Sequence, residues 1–184
     1  MEIILSLFIG IGLSAACGFR VFVPLLIASL ATMTGHLHVG SSFEWLGTIP
    51  ALTALSVATA LEVLAYFIPF VDNLLDHATG PASVIAGTLL TASMGYELDP
   101  FLKWSFAIVA GGGSAAVVHT ATSLTRLASS ATTVGTGNSI LAIAELVGAI
   151  VTSVLSIFVP FLAVFAILII SFILIKRFRK KEAI

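Results

Sequence analysis

Gly10-Ile-Gly-Leu-Ser-Ala-Ala-Cys-Gly-Phe-Arg20 lies inside an apolar run that extends from Ile3 to Thr34. At about 1.5 Å per residue, such a run is too long for a straight crossing of a hydrocarbon layer about 30 Å thick. Small residues thin the helix, and Arg20 follows where a lipid-facing side chain would be apolar. The stretch predicts a helix that breaks near Gly10–Gly18 or tilts strongly. Pro24 is a second weak point, because proline removes a backbone donor. Further along, the pattern returns as Gly111-Gly-Gly-Ser-Ala-Ala-Val-Val-His119, with Arg126 beyond it.

Composition sets the class. The chain has 184 residues, 59% hydrophobic and 9% charged, with a mean hydropathy of +1.16. A soluble domain carries about 25% charged residues. With so few charges, most of the exterior belongs in lipid. At about 20 residues per span, the length accommodates about five to seven helical spans. The apolar stretches are continuous rather than alternating, which argues against a β-barrel. The single cysteine, Cys17, excludes an intrachain disulfide framework and a cysteine-rich metal site. Leu13-Ser-Ala-Ala-Cys17 has the outline of a lipoprotein cleavage site. The start Met1-Glu-Ile-Ile lacks the basic region such a signal needs, so the cysteine is read as a small buried hydrophobe.

In order, the first span covers Ile3 to Thr34. Gly35 to Pro50 reads as a solvated loop with His36, His38 and an interfacial Trp45. The two histidines are two residues apart and would diverge on a helix. Ala51 to Ile68 is the second span and carries Glu62. Phe70 to Gly80 is short and polar. Asp72 and Asp76 are four apart and would share a helical face, and Gly80-Pro81 is expected to break the chain. Ala82 to Met94 is a third, small-residue stretch suited to close packing against other helices. Phe101 to Ser130 is the fourth span. His119, Thr122, Ser123 and Arg126 recur there at helical spacing, so that stripe must face protein or water. Ser139 to Ile157, with Glu145, is the fifth span, and Phe161 to Ile175 the sixth.

Five of the eight basic residues fall within Lys176–Lys181. The positive-inside rule places that end in the cytoplasm, and six spans then place the N-terminus there too. The basic tail reads as a juxtamembrane anchor, not a nucleic-acid site. Three short matches recur in the same order: Ser14-Ala-Ala with Ser114-Ala-Ala, Ala60-Leu-Glu-Val with Ile143-Ala-Glu-Leu-Val, and Phe67-Ile-Pro-Phe-Val with Phe158-Val-Pro-Phe-Leu. They predict a single membrane domain built from two halves, about 1–95 and 96–184. The fold expectation is all-α: about six transmembrane helices in two inverted-topology three-helix repeats, with broken first helices. In transporters, such paired breaks mark a midplane site.

Gly12-Leu-Ser-Ala-Ala-Cys-Gly-Phe-Arg-Val-Phe-Val-Pro24, followed by Leu61-Glu-Val and Ile68-Pro-Phe-Val-Asp72-Asn-Leu-Leu-Asp76, resembles a family of small bacterial inner-membrane proteins catalogued as a domain of unknown function. The resemblance extends through Arg126 and Glu145. It implies a polytopic protein of the bacterial inner membrane and supplies no activity.

Arg20, Glu62, His119, Arg126 and Glu145 fall inside apolar spans. A central charge there costs about 2.5–3.5 kcal/mol on insertion scales. Pairing Arg20 with Glu62, and Arg126 with Glu145, would offset that cost within each half. The favoured function is a small transporter or permeation protein. Its polar midplane site would take an anionic or amphipathic solute, lipid-linked ones included. The candidate site residues are Ser14, Arg20, Glu62, Asp72, Asp76, His119, Ser123, Arg126 and Glu145. Half-helix N-termini near Ser14 and Ser114 would attract the anion. One alternative is a non-transporting scaffold whose buried charges lock helices together. Another is a lipid-phosphate enzyme using Asp72, Asp76 and a divalent metal. Such sites need further acids and a phosphate-binding surround, which the sequence lacks. The expectation is therefore no enzyme, no cofactor and no metal. The expected partners are the lipid bilayer, the solute, and further copies in a homo-oligomer.

Overall fold

The computed structural model describes residues 2–66, 69–95, 98–133, 137–162, 164, 165 and 169, without the side chains of 2, 69–77, 132 and 133. The described chain is helical: α1 Glu2–Cys17, α2 Phe22–Met33, a 3₁₀ helix Ser41–Gly47, α3 Ile49–Ala65, α4 Pro69–Met94, α5 Pro100–Phe106, a π-helical segment Ala107–Gly112, α6 Gly113–Thr133 and α7 Asn138–Phe158.

The opening run breaks at residues 18–21, at the far edge of its small-residue stretch. The last turn of α1 tightens as Gly18 and Phe19 donate to Ala15 and Ala16 carbonyls three residues back. Pro24 is not a separate weak point. It lies in the first turn of α2, where backbone N–H groups have no intrahelical acceptor and proline loses nothing. At the other end of α2, Gly35 adopts φ 77°. Its N–H donates to Thr32 O, and that of His36 to Ala31 O, closing the helix in a glycine-dependent C-cap. The loop after it is less solvated than its sequence suggests. The 3₁₀ helix buries Phe43 and Leu46, and Ser29 Oγ donates to Leu46 O at 2.6 Å. His36, His38 and Trp45 stay exposed, as expected of a loop.

Two further breaks expected from glycine and proline do not form. α4 runs from Pro69 through Pro81 to Met94. The second glycine stretch is a π-helical bulge inside a continuous helical run, 100–133, rather than a gap. Such bulges widen a helix by one residue without ending it. Packing explains the glycines. A Cβ on Gly111 would lie 2.7 Å from Thr91 Cβ and 2.9 Å from Gly87 O, and one on Gly112 would lie 2.7 Å from Thr88 Oγ1, whereas one on Gly113 meets nothing within 4 Å. Gly111→Ala should therefore lower stability by about 1–3 kcal/mol through overpacking. Gly113→Ala should raise it by up to about 1 kcal/mol by removing helix-interior glycine. Thermal unfolding in detergent reads both, and shifts of the same sign would contradict this packing.

α1 supplies the seam of the bundle. Gly10, Ser14 and Gly18 are spaced four apart and present one small face. A Cβ on Gly10 would lie 3.0 Å from Thr91 Cα, and one on Gly18 2.6 Å from Ala115 O. The core built on this seam includes Leu13, Cys17, Val21, Ala86, Leu90, Met94 and Ala115.

Two described helical stretches are long and apolar enough to cross a membrane: Pro100–Ala131 and Asn138–Phe158. A third arises if Ser41–Gly47 and Ile49–Ala65, bent by 66° to one another, count as one span. Ile3–Cys17 and Phe22–Met33 are shorter apolar helices. The outside is apolar too, with Phe101, Val109 and Ile140 more than 70% exposed. Such a surface is compatible with an integral membrane protein, since water-facing patches of this kind are small. Most of the expected sixth span, and the whole basic tail, lie outside the described residues.

Candidate functional site

The charges in the apolar helices converge on the α1–α2 break. Arg20 is in the break itself, Glu62 and Tyr66 are at the end of α3, Arg126 is near the end of α6, and Glu145 is in the second turn of α7. Arg20, Glu62, Arg126 and Glu145 are all under 9% exposed. Burial of this depth makes an uncompensated charge costly, so partners decide everything.

Glu145 holds both arginines. Arg126 Nε donates to Glu145 Oε1 at 2.8 Å, and Arg126 Nη2 donates to Glu145 Oε2. This two-point contact is the strong geometry for a guanidinium on a carboxylate. Arg20 Nη2 lies 3.7 Å from Glu145 Oε2 and donates to Ala142 O at 2.9 Å. Tyr66 completes the arrangement. The Arg20 guanidinium carbon lies 3.6 Å from its ring centroid and that of Arg126 4.4 Å. Each contact of this kind contributes about 0.5–2 kcal/mol where it is shielded from water. One ring thus offers electron density to two like charges that share one carboxylate.

Glu62 has a different role from the one its sequence neighbourhood suggests. Its Oε1 accepts from Val21 N at 2.7 Å, and its Oε2 accepts from Phe22 N at 3.1 Å. It caps the N-terminus of α2 from a neighbouring helix, where the macrodipole favours an anion. The expected Arg126–Glu145 pair forms. The described ion partner of Arg20 is Glu145 rather than Glu62, because the Glu62 carboxylate is committed to backbone N–H groups.

The remaining candidates fall elsewhere. Ser14 is inside α1, not at a half-helix N-terminus, and bonds to Gly87 O and to Thr91 Oγ1 at 2.7 Å. It fastens α1 to α4. Ser114 Oγ donates to Gly111 O at 2.8 Å within the continuous helix, so no half-helix starts there either. His119 Nε2 is 3.3 Å from Ser123 Oγ and faces Gly80 of α4. Thr122 Oγ1 donates to Gly18 O at 3.4 Å. The polar stripe of α6 therefore faces protein, along the break. The side chains of Asp72 and Asp76 lie outside the described residues. Among the described residues no group of three His, Cys, Asp or Glu side chains could hold a metal ion.

Sequence reading missed Tyr66 and the backbone groups at residues 21, 22 and 142. Tyr66 carried one usable signal, its spacing four residues after Glu62 on one helix face. Backbone donors exposed by a break leave no mark in composition. A groove of about 470 Å³ between Phe8, Phe161, Leu162, Val164 and Phe165 is almost wholly apolar. It offers nothing to orient a polar solute, so the cluster at the break is the candidate site.

No curated protein and no solved structure matches the chain. A family model does match, over residues 7–180, and it covers both the break and the charged cluster. The chain belongs to the family described as Domain of unknown function (DUF4126).

Proposed function

We propose that this is a polytopic inner-membrane protein of six spans in two inverted halves, acting as a small transporter or permeation protein. The site is the cluster at the α1–α2 break, and the solute is anionic or amphipathic. One observation carries this reading. Arg20 is 2% exposed, yet its Nε and Nη1 find no hydrogen-bond partner among the described residues. A buried, permanently charged donor with open N–H groups is a place for an anion. Arg20, Glu62, Arg126 and Glu145 line it. The convergence of Arg20 and Glu62 from the first half of the chain with Arg126 and Glu145 from the second supports a site at the repeat interface. Cytoplasmic termini and a homo-oligomer complete the proposal.

A second reading has its own support. The Arg126–Glu145 pair and the Glu62 cap each satisfy a buried charge internally, as helix locks do. Water access separates the two. In a Cys17→Ala background, cysteines placed at 20 and 62 should react with a membrane-impermeant thiol reagent added from one side of oriented vesicles. Folded protein that stays unlabelled from both sides at both positions favours the lock.

A further inference from the structure

The open groups at the break share one chemistry. Arg20 Nε and Nη1 are donors only. Thr59 Oγ1 is also buried without a partner among the described residues. Thr59 precedes Glu62 by three residues, which places it one turn away on the same face of α3. The backbone N–H groups of Val21 and Phe22, nearby, are already taken by Glu62. What remains is a guanidinium edge at the break and a hydroxyl one turn from Glu62 on α3. An oxyanion with several acceptor oxygens matches this set, and a cation does not. Glu62 and Glu145 both face Arg20, so a singly charged oxyanion is favoured over a dianion, whose second charge would meet two carboxylates.

The surroundings indicate the route. Leu61 and Leu64, beside Glu62 on α3, are 62% and 63% exposed, and Ile143 and Val147, either side of Glu145 on α7, are 51% and 52% exposed. The helices that reach Arg20 thus turn bare apolar side chains outward at the level of the site. A ligand arriving there from the bilayer carries its own apolar part.

We infer that Arg20, with Thr59, binds the singly charged phosphate of a phosphodiester, which enters from the bilayer as a lipid headgroup. This names the solute class of the proposed site and rests on that reading. Arg20 Nε and Nη1 donate to the phosphate oxygens while Nη2 stays on Ala142 O. The Thr59 hydroxyl donates from the α3 side. Glu62 keeps the end of α2 capped throughout.

The full chain in nanodiscs of digalactosyl diacylglycerol, which has no phosphate, with one quarter phosphatidylglycerol tests this, read by native mass spectrometry of retained lipids. Phosphatidylglycerol should be retained over digalactosyl diacylglycerol by about tenfold, the worth of a charge-assisted hydrogen bond. Thr59→Val, which keeps shape and fold, should lower that preference about threefold or more. Arg20→Lys should lower it further. Inorganic phosphate is the second arm, titrated in detergent and followed by ³¹P NMR. Binding of phosphate that phosphatidylglycerol does not displace overturns the lipid source and keeps the oxyanion chemistry. No binding of either probe by folded wild-type protein overturns the inference. So does a folded Thr59→Val or Arg20→Lys protein with wild-type selectivity. Thiol labelling at 20 without phosphate binding sinks this inference alone. Phosphatidylglycerol binding without labelling from either side sinks permeation alone and leaves a lipid site.

Discussion

Glu145→Ala should be among the most damaging single substitutions in the chain, costing about 3–5 kcal/mol of stability. Its carboxylate is the ion partner of two buried guanidiniums, Arg20 and Arg126. Removing it leaves two cations close together over the Tyr66 ring with their shared counter-charge gone. Breaking a buried pair from one side is worse than never having made it, because the stranded charge keeps its desolvation penalty. Glu145→Gln should be milder, since an amide oxygen still accepts from Arg126 Nε. Unfolding by sodium dodecyl sulfate titration, followed by circular dichroism, measures both. A Glu145→Ala midpoint indistinguishable from wild type would show that the ion cluster contributes little. The helix-lock and solute-site readings predict the same loss here. They part at the labelling experiment, because a lock needs no water.

Gly18→Val should have the next largest effect. A Cβ at Gly18 would lie 2.6 Å from both Ala115 O and Val118 Cβ, and 2.8 Å from His119 N. Two of these atoms are backbone of α6, so no side-chain rotation relieves the clash. Overpacking of this type costs about 1–3 kcal/mol, and two added methyl groups place valine at the upper end. The effect should reach the cluster. Pushing α6 away from the break separates Arg126 from Arg20, so the variant should also lose lipid selectivity. Gly148→Ala is the control: its Cβ would sit 3.6 Å from the Phe19 ring, an ordinary contact. It should be as stable as wild type or up to about 1 kcal/mol more so, because a helix-interior glycine is removed without a clash. Equal losses for Gly18→Val and Gly148→Ala would refute the close α1–α6 approach.

Much of this architecture was legible beforehand, for local reasons. The boundaries of α7 were anticipated to within one residue at each end, because an apolar run flanked by glycine, asparagine and proline is a local signal. The break in the first helix was expected, and lies where the small residues end. The glycine run at 111–113 was misread as a second break, since glycine marks weak helix and close packing equally well. Only Thr88 and Thr91 opposite decide that it is packing. Pro81 was misread in the same way, with α4 continuing through it.

Local pattern along the chain is enough to show that it is helical, that its helices are strongly apolar, and that Arg20, Glu62, Arg126 and Glu145 need partners. Composition and hydropathy act residue by residue, so a single chain displays them. Which residue pairs with which emerges only in three dimensions. Glu62 spends its charge on two backbone N–H groups of the break, Glu145 takes both arginines, and Tyr66 lies under the two. Val21 meets Glu62 across 41 positions and Arg20 meets Ala142 across 122, as readily as neighbours meet. Electrostatic and hydrogen-bond partners are chosen by distance in space, and no local pattern along the chain encodes that distance.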